Sequence, residues 1–292
     1  MSALIYSMTG FARSELSTEI GVFTWELRTV NHRYLDMQLR LPDSLRHDEP
    51  ALRKLISGKL ARGKLDATFS LQQDPLDENQ VGLDFAVIRG LRDAARSAAG
   101  VFADPLQPLS TLELLRWPGV ISQQQHDADA MQEHLLASMS AALERLCSMR
   151  ANEGKHLASL ILARCDDIEA LAARVRDRRP AVVEAAQARL REKLARIDVE
   201  SDDGRLETEL VLQAQKLDVD EELDRLDGHI AELRRILAEG GPCGRKLDFL
   251  IQELNREANT LGSKSADGET TAAAVDMKVA IEQMREQVQN IE

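Results

Sequence analysis

The carboxyl-terminal third of the sequence, residues 205–292, contains the pattern that most constrains the fold. Its apolar residues recur in steps of three and four, which places them on one face of an α-helix. Three such faces follow one another: Val219, Leu223, Leu226, Ile230, Leu233 and Leu237; then Leu247, Leu250, Leu254, Ala258 and Leu261; then Met277, Ile281, Met284, Val288 and Ile291. Because each apolar face has to be buried against another helix, the pattern predicts an all-α domain over residues 201–292.

Polar stripes with the same helical spacing run beside the first two apolar faces. The first stripe consists of Asp218, Glu222, Arg225 and His229, with Glu221 at its edge, and the second of Asp248, Gln252, Asn255 and Asn259. A face that is only solvated would more often carry Glu, Lys and Arg, because amide side chains lower helix propensity. The amides therefore indicate a surface that recognises a partner.

The first 122 residues follow a different pattern. Apolar residues alternate between residues 3 and 41 in the manner of β-strands, and the break at 17–21 predicts a hairpin. A helix is predicted over 46–61, a further strand over 65–71, a polar linker over 74–82 and another helix over 84–99. We therefore expect a small α+β domain with trailing helices over residues 1–122.

The middle of the chain, residues 123–200, is rich in Ala, Leu, Arg and Glu at sustained helical spacing. Gly154 and Pro180 interrupt it, and Pro180 is expected to open a new helix because proline is favoured in the first helical turn. The pattern predicts a long, hairpin-like helical segment, and an oligomerisation arm is the alternative. The whole chain is therefore predicted to be an α+β protein, with a small N-terminal α+β domain, this helical middle and the all-α C-terminal domain.

Composition limits the range of functions. The 292-residue chain has a net charge of −12, a pI near 5.1 and only 3% aromatic residues, which argues against a generic nucleic-acid binder with a basic, aromatic surface. An acidic chain can still bind RNA if its basic residues share one surface or if a divalent cation covers an acidic patch. Three separated cysteines suit a reducing cytosol, and the sequence has no pattern of a signal peptide or membrane span. We therefore expect a cytoplasmic protein with no membrane partner and, in the absence of nucleotide-binding motifs, no small-molecule cofactor.

Several segments resemble a known family. Its C-terminal domain is similar to ELVLQAQKLDVDEELDRLDGHI, GRKLDFLIQELNREANTLGSKSAD and IEQMREQVQNIE, and its other parts are similar to SMTGFARSE, ELRTVNHRYLDMQLRLPDSL, RGK and RWPGV. The family is the bacterial YicC/YloC family, and the resemblance runs nearly from end to end. It implies a cytoplasmic, metal-dependent endoribonuclease that acts on RNA as a ring-like homo-oligomer, with a hexamer as the expected size.

The polar stripes have the chemistry that cleavage of a phosphodiester needs. Such cleavage requires neutralisation of charge on the phosphoryl group and activation of water or the neighbouring 2′-hydroxyl. Carboxylates bind Mg²⁺ or Mn²⁺, while an imidazole favours Mn²⁺ and can also act as acid or base. With the resemblance, we predict Mn²⁺ or Mg²⁺ as cofactor, catalytic roles for Glu222, His229, Arg256 and Glu257, and metal ligands among Asp218, Glu221, Asp248 and Glu253. The alternative is that these groups form ion pairs on exposed helix faces, where such pairs stabilise little.

Basic and amide residues are the candidates for contact with the RNA backbone. They are Arg28, Asn31, Arg33, Arg62, Lys64, Arg245, Lys246, Asn255, Asn259 and Lys264. The alternative for the basic residues on strands is protection of a sheet edge against aggregation. The predicted function is cleavage of single-stranded or structured RNA. The alternatives are a non-catalytic, oligomeric RNA-binding adaptor that delivers RNA to other nucleases, and a helical scaffold.

Overall fold

The amino-terminal strands form one four-stranded sheet. In a computed structural model that describes residues 4–72, 82–100, 110–122, 128–195 and 218–292, they are β1 (Gly10–Thr18), β2 (Gly21–Val30), β3 (Leu35–Arg40) and β4 (Gly63–Gln72). The strand order is β1-β2-β4-β3, with β3 parallel to β4 and the other pairs antiparallel. A 3₁₀ turn (Asp43–Asp48) and helix α1 (Glu49–Ser57) form the crossover between β3 and β4. The predicted hairpin is confirmed, since Thr18 pairs with Gly21.

One face of this sheet is covered by helix α4 (Ala128–Ala195). The alternate β2 residues Phe23, Trp25 and Leu27 are fully buried, as the period of two along a strand requires. The indole Nε1 of Trp25 donates a hydrogen bond to Ser138 Oγ on α4 at 3.0 Å. The polar atom of the largest core side chain is therefore satisfied across the interface between sheet and helix.

Helix α4 is one helix of 68 residues, which at 1.5 Å per residue is about 100 Å long. The helical hairpin predicted for the middle of the chain is therefore wrong. Pro180 lies inside the helix instead of opening a new one. Tertiary packing explains the difference, because Leu143 of α4 lies in the core of the sheet and Ile168 lies in the core of the C-terminal helices. Pro180 is exposed, where water can replace the backbone hydrogen bond that proline removes.

A small unit lies between β4 and α4 in the sequence. It contains β5 (Gly82–Leu83), α2 (Phe85–Ala99), α3 (Thr111–Leu115) and β6 (Ile121–Ser122), with β5 and β6 paired antiparallel. Asp84 begins α2, because its carboxylate accepts hydrogen bonds from the backbone N–H groups of Ala86 and Val87. The predicted helix over 84–99 is confirmed, whereas the predicted linker over 74–82 falls almost wholly outside the described residues.

Three further helices complete the fold: α5 (Asp220–Glu239), α6 (Gly244–Lys264) and α7 (Gly268–Val288). All three apolar faces predicted from the sequence are buried, and Leu226, Leu254 and Ile281 are examples that are fully buried. They share one core with the carboxyl-terminal half of α4. The predicted α+β class is confirmed. The domain boundaries remain a prediction, and residues 201–217 of the third domain lie outside the described part of the chain.

Residues from both ends of the chain meet on α4 and join the sheet to the C-terminal helices. Ser7 and Ile291 form an antiparallel β-bridge. The buried Arg150 of α4 donates one hydrogen bond to the Ser7 carbonyl oxygen at 2.6 Å and another to Glu292 Oε2 at 2.5 Å. Hydrogen bonds to charged groups are among the stronger ones in proteins, so this contact fixes the two cores relative to each other.

Gly154 is the point of closest approach at this junction. A Cβ atom there would lie 2.2 Å from the carbonyl oxygen of Ile5, so an alanine requires the backbone to move. We expect Gly154→Ala to lower the free energy of unfolding by about 1–3 kcal/mol, which is the usual cost of overpacking.

Gly228→Ala is the matched control, because nothing lies within 4 Å of a Cβ atom added at that position of α5. It should raise the free energy of unfolding by about 0.5–1 kcal/mol, the usual gain of alanine over glycine in a helix. Urea unfolding of both variants measures the difference. Stabilisation by Gly154→Ala would contradict the close approach.

Candidate metal and RNA site

Helices α5 and α6 are joined by the short turn 240–243 and pack side by side in the C-terminal core. Their facing surfaces bring together His229 from α5 and Glu253 and Glu257 from α6. One potential ligand atom from each of the three side chains lies within 4.8 Å of the other two. The two glutamates are four residues apart and therefore share one face of α6. Within the described ranges, these three residues form the one group of His, Cys, Asp or Glu side chains close enough to share a cation.

The burial and chemistry of this cluster fit a divalent cation. Glu257 is only 3% exposed, and a buried carboxylate is unfavourable unless a cation or hydrogen bonds compensate its charge. Arg225 Nη1 lies 3.6 Å from Glu257 Oε1, which is beyond hydrogen-bond distance. Arg256 is mostly exposed and lies 3.8 Å from Glu253 Oε2, so it stays at the edge of the cluster. Two carboxylates and one imidazole, here from His229, are a donor set that Mn²⁺ accepts well and Mg²⁺ can also use.

Glu222, predicted to be catalytic, lies on α5 and is paired with a lysine of α6. It is 5% exposed, and Lys264 Nζ from the end of α6 lies 2.7 Å from its Oε1. Lys264 Nζ also donates to the Asp218 carbonyl oxygen at 2.9 Å. Glu222 precedes His229 by two helical turns, which is about 10 Å along the axis. Lys264, predicted to bind RNA, therefore neutralises Glu222 outside the cluster of His229, Glu253 and Glu257.

Asp218 and Glu221, two of the predicted metal ligands, are paired with arginines. Asp218 Oδ1 accepts a hydrogen bond from Arg179 Nη2 of α4 at 2.7 Å. Glu221 Oε1 accepts one from Arg225 Nη2 at 2.6 Å. Both carboxylates are mostly exposed, at 54% and 71%. The structure therefore does not bring them into the cluster of His229, Glu253 and Glu257.

The amide stripe of α6 forms hydrogen bonds within itself. Gln252 Nε2 donates to Asp248 Oδ2 at 2.9 Å, and Asn259 Nδ2 donates to Asn255 Oδ1 at 2.8 Å. Each pair is separated by four residues, so both lie along one helix face. Asp248, predicted to be a metal ligand, and the two asparagines, predicted to bind RNA, thus occupy a face of α6 other than that of Glu257.

The N-terminal RNA-binding candidates divide into two groups. Asn31 Nδ2 donates to the Gln289 carbonyl oxygen at 2.6 Å, and Arg62 Nη2 donates to the Ile291 carbonyl oxygen at 3.0 Å. These two side chains hold the C-terminal segment against the sheet. Arg33 belongs to the other group: like Asn31 it is exposed, but its guanidinium lies over the ring of the adjacent tyrosine, 5.2 Å from the ring centroid.

The remaining basic candidates are accessible. Arg28 is exposed on β2, and Lys64 is half-buried on β4. Arg245 and Lys246 are exposed in the first turn of α6. Together with Arg33, they give the acidic chain basic side chains that can reach a phosphate backbone.

The cysteines are poor nucleophile candidates. All three are free, and Cys165 and Cys243 are buried. Burial raises the pKa of Cys165 to about 12 and also raises the pKa values of Cys147 and Cys243. Because the thiolate is the reactive form, none of the three is activated for attack.

Both halves of the chain match models of one protein family. Residues 5–159 match the N-terminal region described as "Endoribonuclease YicC-like", and residues 175–292 match the corresponding C-terminal domain. The chain belongs to the YicC-like endoribonuclease family. The resemblance predicted from the sequence is therefore confirmed. The cluster of His229, Glu253 and Glu257 lies within the C-terminal match.

Two named relatives of the family align over almost their whole length. A "Probable endoribonuclease YicC" from Haemophilus influenzae is 40% identical, and the alignment covers 99% of this chain and 100% of the relative. A protein of the same name from Clostridioides difficile is 34% identical over 98% of this chain and 99% of the relative. Both names agree with the predicted class of enzyme, an endoribonuclease.

His229 and Glu257 are predicted from the sequence to act in catalysis and Glu253 to bind the metal, although their polar stripes do not by themselves place the three together. A signal for their proximity is present in the sequence, because His229 and Glu253 are about equally far from the turn 240–243. In a helical hairpin, residues at equal distances from the turn face each other. Arg225, which has no predicted role, lies beside Glu257 in the structure.

We expect the wild-type protein to bind Mn²⁺ and the variants His229→Ala and Glu257→Gln to bind it at least about 10-fold more weakly, because each removes one ligand. Asp248→Asn is the matched control, since Asp248 lies on another face of α6 with Gln252 as its partner. Calorimetric titration of each folded variant with Mn²⁺ measures the affinities. Unchanged affinity in both ligand variants would contradict the assignment.

Proposed function

We propose that the protein is a metal-dependent endoribonuclease whose divalent cation, Mn²⁺ or Mg²⁺, is held by His229, Glu253 and Glu257. The observation that carries this proposal is the convergence of three potential ligand atoms within 4.8 Å, on two helices of the domain that matches a family of endoribonucleases. RNA is the substrate that the names of the relatives imply. The proposal covers single-stranded and structured RNA.

The chemistry divides between the cation and the protein. When bound, the cation would neutralise charge on the phosphoryl group and lower the pKa of the attacking hydroxyl or water. Glu253 and Glu257, which lie on adjacent turns of α6, would hold the ion. His229 needs only one ring nitrogen as a ligand, so the other can hold or transfer a proton, which agrees with its predicted acid–base role.

The accessible basic side chains provide the contact with the RNA backbone in this proposal. Arg245 and Lys246 are exposed in the first turn of α6, the helix that also supplies both glutamates of the cluster. Arg28, Arg33 and Lys64 extend the possible contact to the sheet. Because the chain has a net charge of −12, such contacts and the bound cation have to overcome its general repulsion of phosphate.

Cleavage of a labelled RNA tests the proposal directly. We expect freshly purified protein to cut the RNA with Mn²⁺ or Mg²⁺ and to stop when EDTA is added. The double variant His229→Ala/Glu257→Gln should lose cutting by at least about 100-fold, because the charge stabilisation at the phosphoryl group is lost. The control Asp248→Asn should cut like the wild type.

Three other outcomes contradict the proposal in different ways. Cutting that persists unchanged in the double variant would point to a contaminating ribonuclease. Cutting by the wild type in EDTA would show that cleavage does not require a divalent cation. Salt-sensitive binding without cutting would favour the adaptor, and Arg33→Ala should then weaken that binding.

We further propose that the protein functions as a homo-oligomer of six subunits in the cytoplasm. The unit of α2 and α3 supports an oligomer, since no residue of α2 is buried within the chain. An open groove there has apolar side chains along it: Ile88, Leu91, Leu114 and Trp117. Exposed apolar patches of this kind mark interaction surfaces. The free cysteines agree with a reducing compartment. As a separate finding, no helix within the described ranges has the length and hydropathy of a membrane span.

Light scattering measures the size of the assembly. We expect a mass of six times the 32.5 kDa of one chain. Leu91→Asp should shift the protein to smaller species, because it places a charge in the apolar groove. Ser97→Glu, on the opposite side of α2, is the control and should leave the mass unchanged. A wild-type protein that stays monomeric at all concentrations would contradict the proposal.

A further inference from the structure

We propose that Arg225 is a further catalytic residue of this site and that its guanidinium binds the phosphate that is cleaved. The inference rests on the proposed function, because it needs a cation at His229, Glu253 and Glu257. It goes beyond that function by naming a protein group that contacts the reacting phosphate.

The position of Arg225 is the first observation. On α5 it lies one turn after Glu221 and one turn before His229, so its side chain reaches along the face that carries the cluster. Nη1 is 3.6 Å from Glu257 Oε1, although Glu257 comes from the other helix. The Arg225 side chain is 52% exposed, whereas that of Glu257 is 4% exposed. An exposed guanidinium thus lies next to a buried carboxylate.

The partners of Arg225 leave it available to a substrate. Nη2 donates to Glu221 Oε1 at 2.6 Å, but Glu221 is 71% exposed. Exposed ion pairs between residues four apart contribute little free energy, so a phosphate can replace Glu221 at small cost. The 3.6 Å contact with Glu257 is too long for a hydrogen bond, and a guanidinium has five N–H donors in a planar arrangement that matches a phosphate.

The charges of the site favour this role. A divalent cation balances the two negative charges of Glu253 and Glu257, which leaves the negative phosphodiester without a full counter-charge. Arg225, 3.6 Å from Glu257, would provide one additional positive charge. Because negative charge builds up on the phosphoryl oxygens during cleavage, a guanidinium there stabilises the transition state.

Arg225 and the cation also compete for Glu257, and this separates a catalytic role from a structural one. Without Arg225, the carboxylate carries a less compensated negative charge, so its affinity for a cation should stay equal or rise. If Arg225 only held Glu257 in position, its removal would disorder the ligand and weaken cation binding. The two roles therefore predict opposite changes in the dissociation constant for Mn²⁺.

The experiment compares Arg225→Gln, Arg225→Lys and the control Arg235→Gln. Arg235 is on the same helix, is similarly exposed and is paired with Glu232 and Glu239 away from the cluster. For each folded protein, Mn²⁺ affinity is measured by titration, and kcat and KM are measured on a short single-stranded RNA. We expect Arg225→Gln to lower kcat by about 10²–10³-fold with equal or tighter Mn²⁺ binding, the size of effect seen when one charge-stabilising donor is removed. Arg225→Lys should recover part of kcat because it restores the charge, and Arg235→Gln should match the wild type.

Each remaining outcome overturns the inference. A wild-type kcat in Arg225→Gln would do so while leaving the metal site intact. A parallel loss of Mn²⁺ affinity and kcat would assign Arg225 the structural role. If the wild type neither binds Mn²⁺ nor needs it to cut RNA, the proposed function itself fails, and the inference falls with it.

Discussion

The fold depends on the continuity of helix α4 through two separate apolar cores. Its amino-terminal half packs under the sheet with residues such as Leu143, and its carboxyl-terminal half packs among the last three helices with residues such as Ile168. Where the two cores meet, Arg150 connects Ser7 to Glu292. Because α4 packs into both cores, it fixes the position of one core relative to the other. The basic residues of the sheet therefore have a defined position relative to α5 and α6.

Ion pairs explain how so acidic a chain could act on RNA, as proposed. Most acidic groups near the site already have a basic partner, as Asp218 has in Arg179 and Glu222 has in Lys264. Arginines of α4 also form ion pairs with carboxylates of α5, which attach this helix and reduce its negative charge. The cluster of His229, Glu253 and Glu257 is different, because its most buried carboxylate has a charged neighbour only at 3.6 Å among the contacts described for it. A cation would supply the charge that this cluster lacks.

Much of the fold could be predicted from the sequence, because the periods of apolar residues directly reflect burial. The face of Met277, Ile281 and Met284 is buried as its spacing indicates, and the hairpin at 17–21 forms where the alternation breaks. The prediction that Pro180 opens a new helix was wrong. The packing of α4 on either side of Pro180 stabilises a continuous helix more than the preference of proline for a first helical turn favours a break. The junction made by Arg150 could not be predicted, because it joins residues far apart in the sequence.

The candidate site was predictable in its chemistry and less so in its geometry. Spacing placed Glu253 and Glu257 on one face of α6. It also placed Glu222 and His229 on one stripe of α5, and only the packing of α5 on α6 shows that His229 joins the two glutamates while Glu222 pairs with Lys264. In the same way, the sequence marks Asn31 and Arg62 as polar and accessible. The structure adds that both donate hydrogen bonds to backbone carbonyl groups of the C-terminal segment, which their spacing in the sequence does not reveal.

The most direct test of the central claim is the anomalous X-ray scattering of a crystal of the protein soaked in Mn²⁺. We predict an anomalous difference peak at about 2 Å from the ligand atoms of His229, Glu253 and Glu257. This peak should be missing from crystals of the Glu257→Gln variant. A peak at another group of residues, or none at these three in a crystal whose α5 and α6 are ordered, would contradict the account.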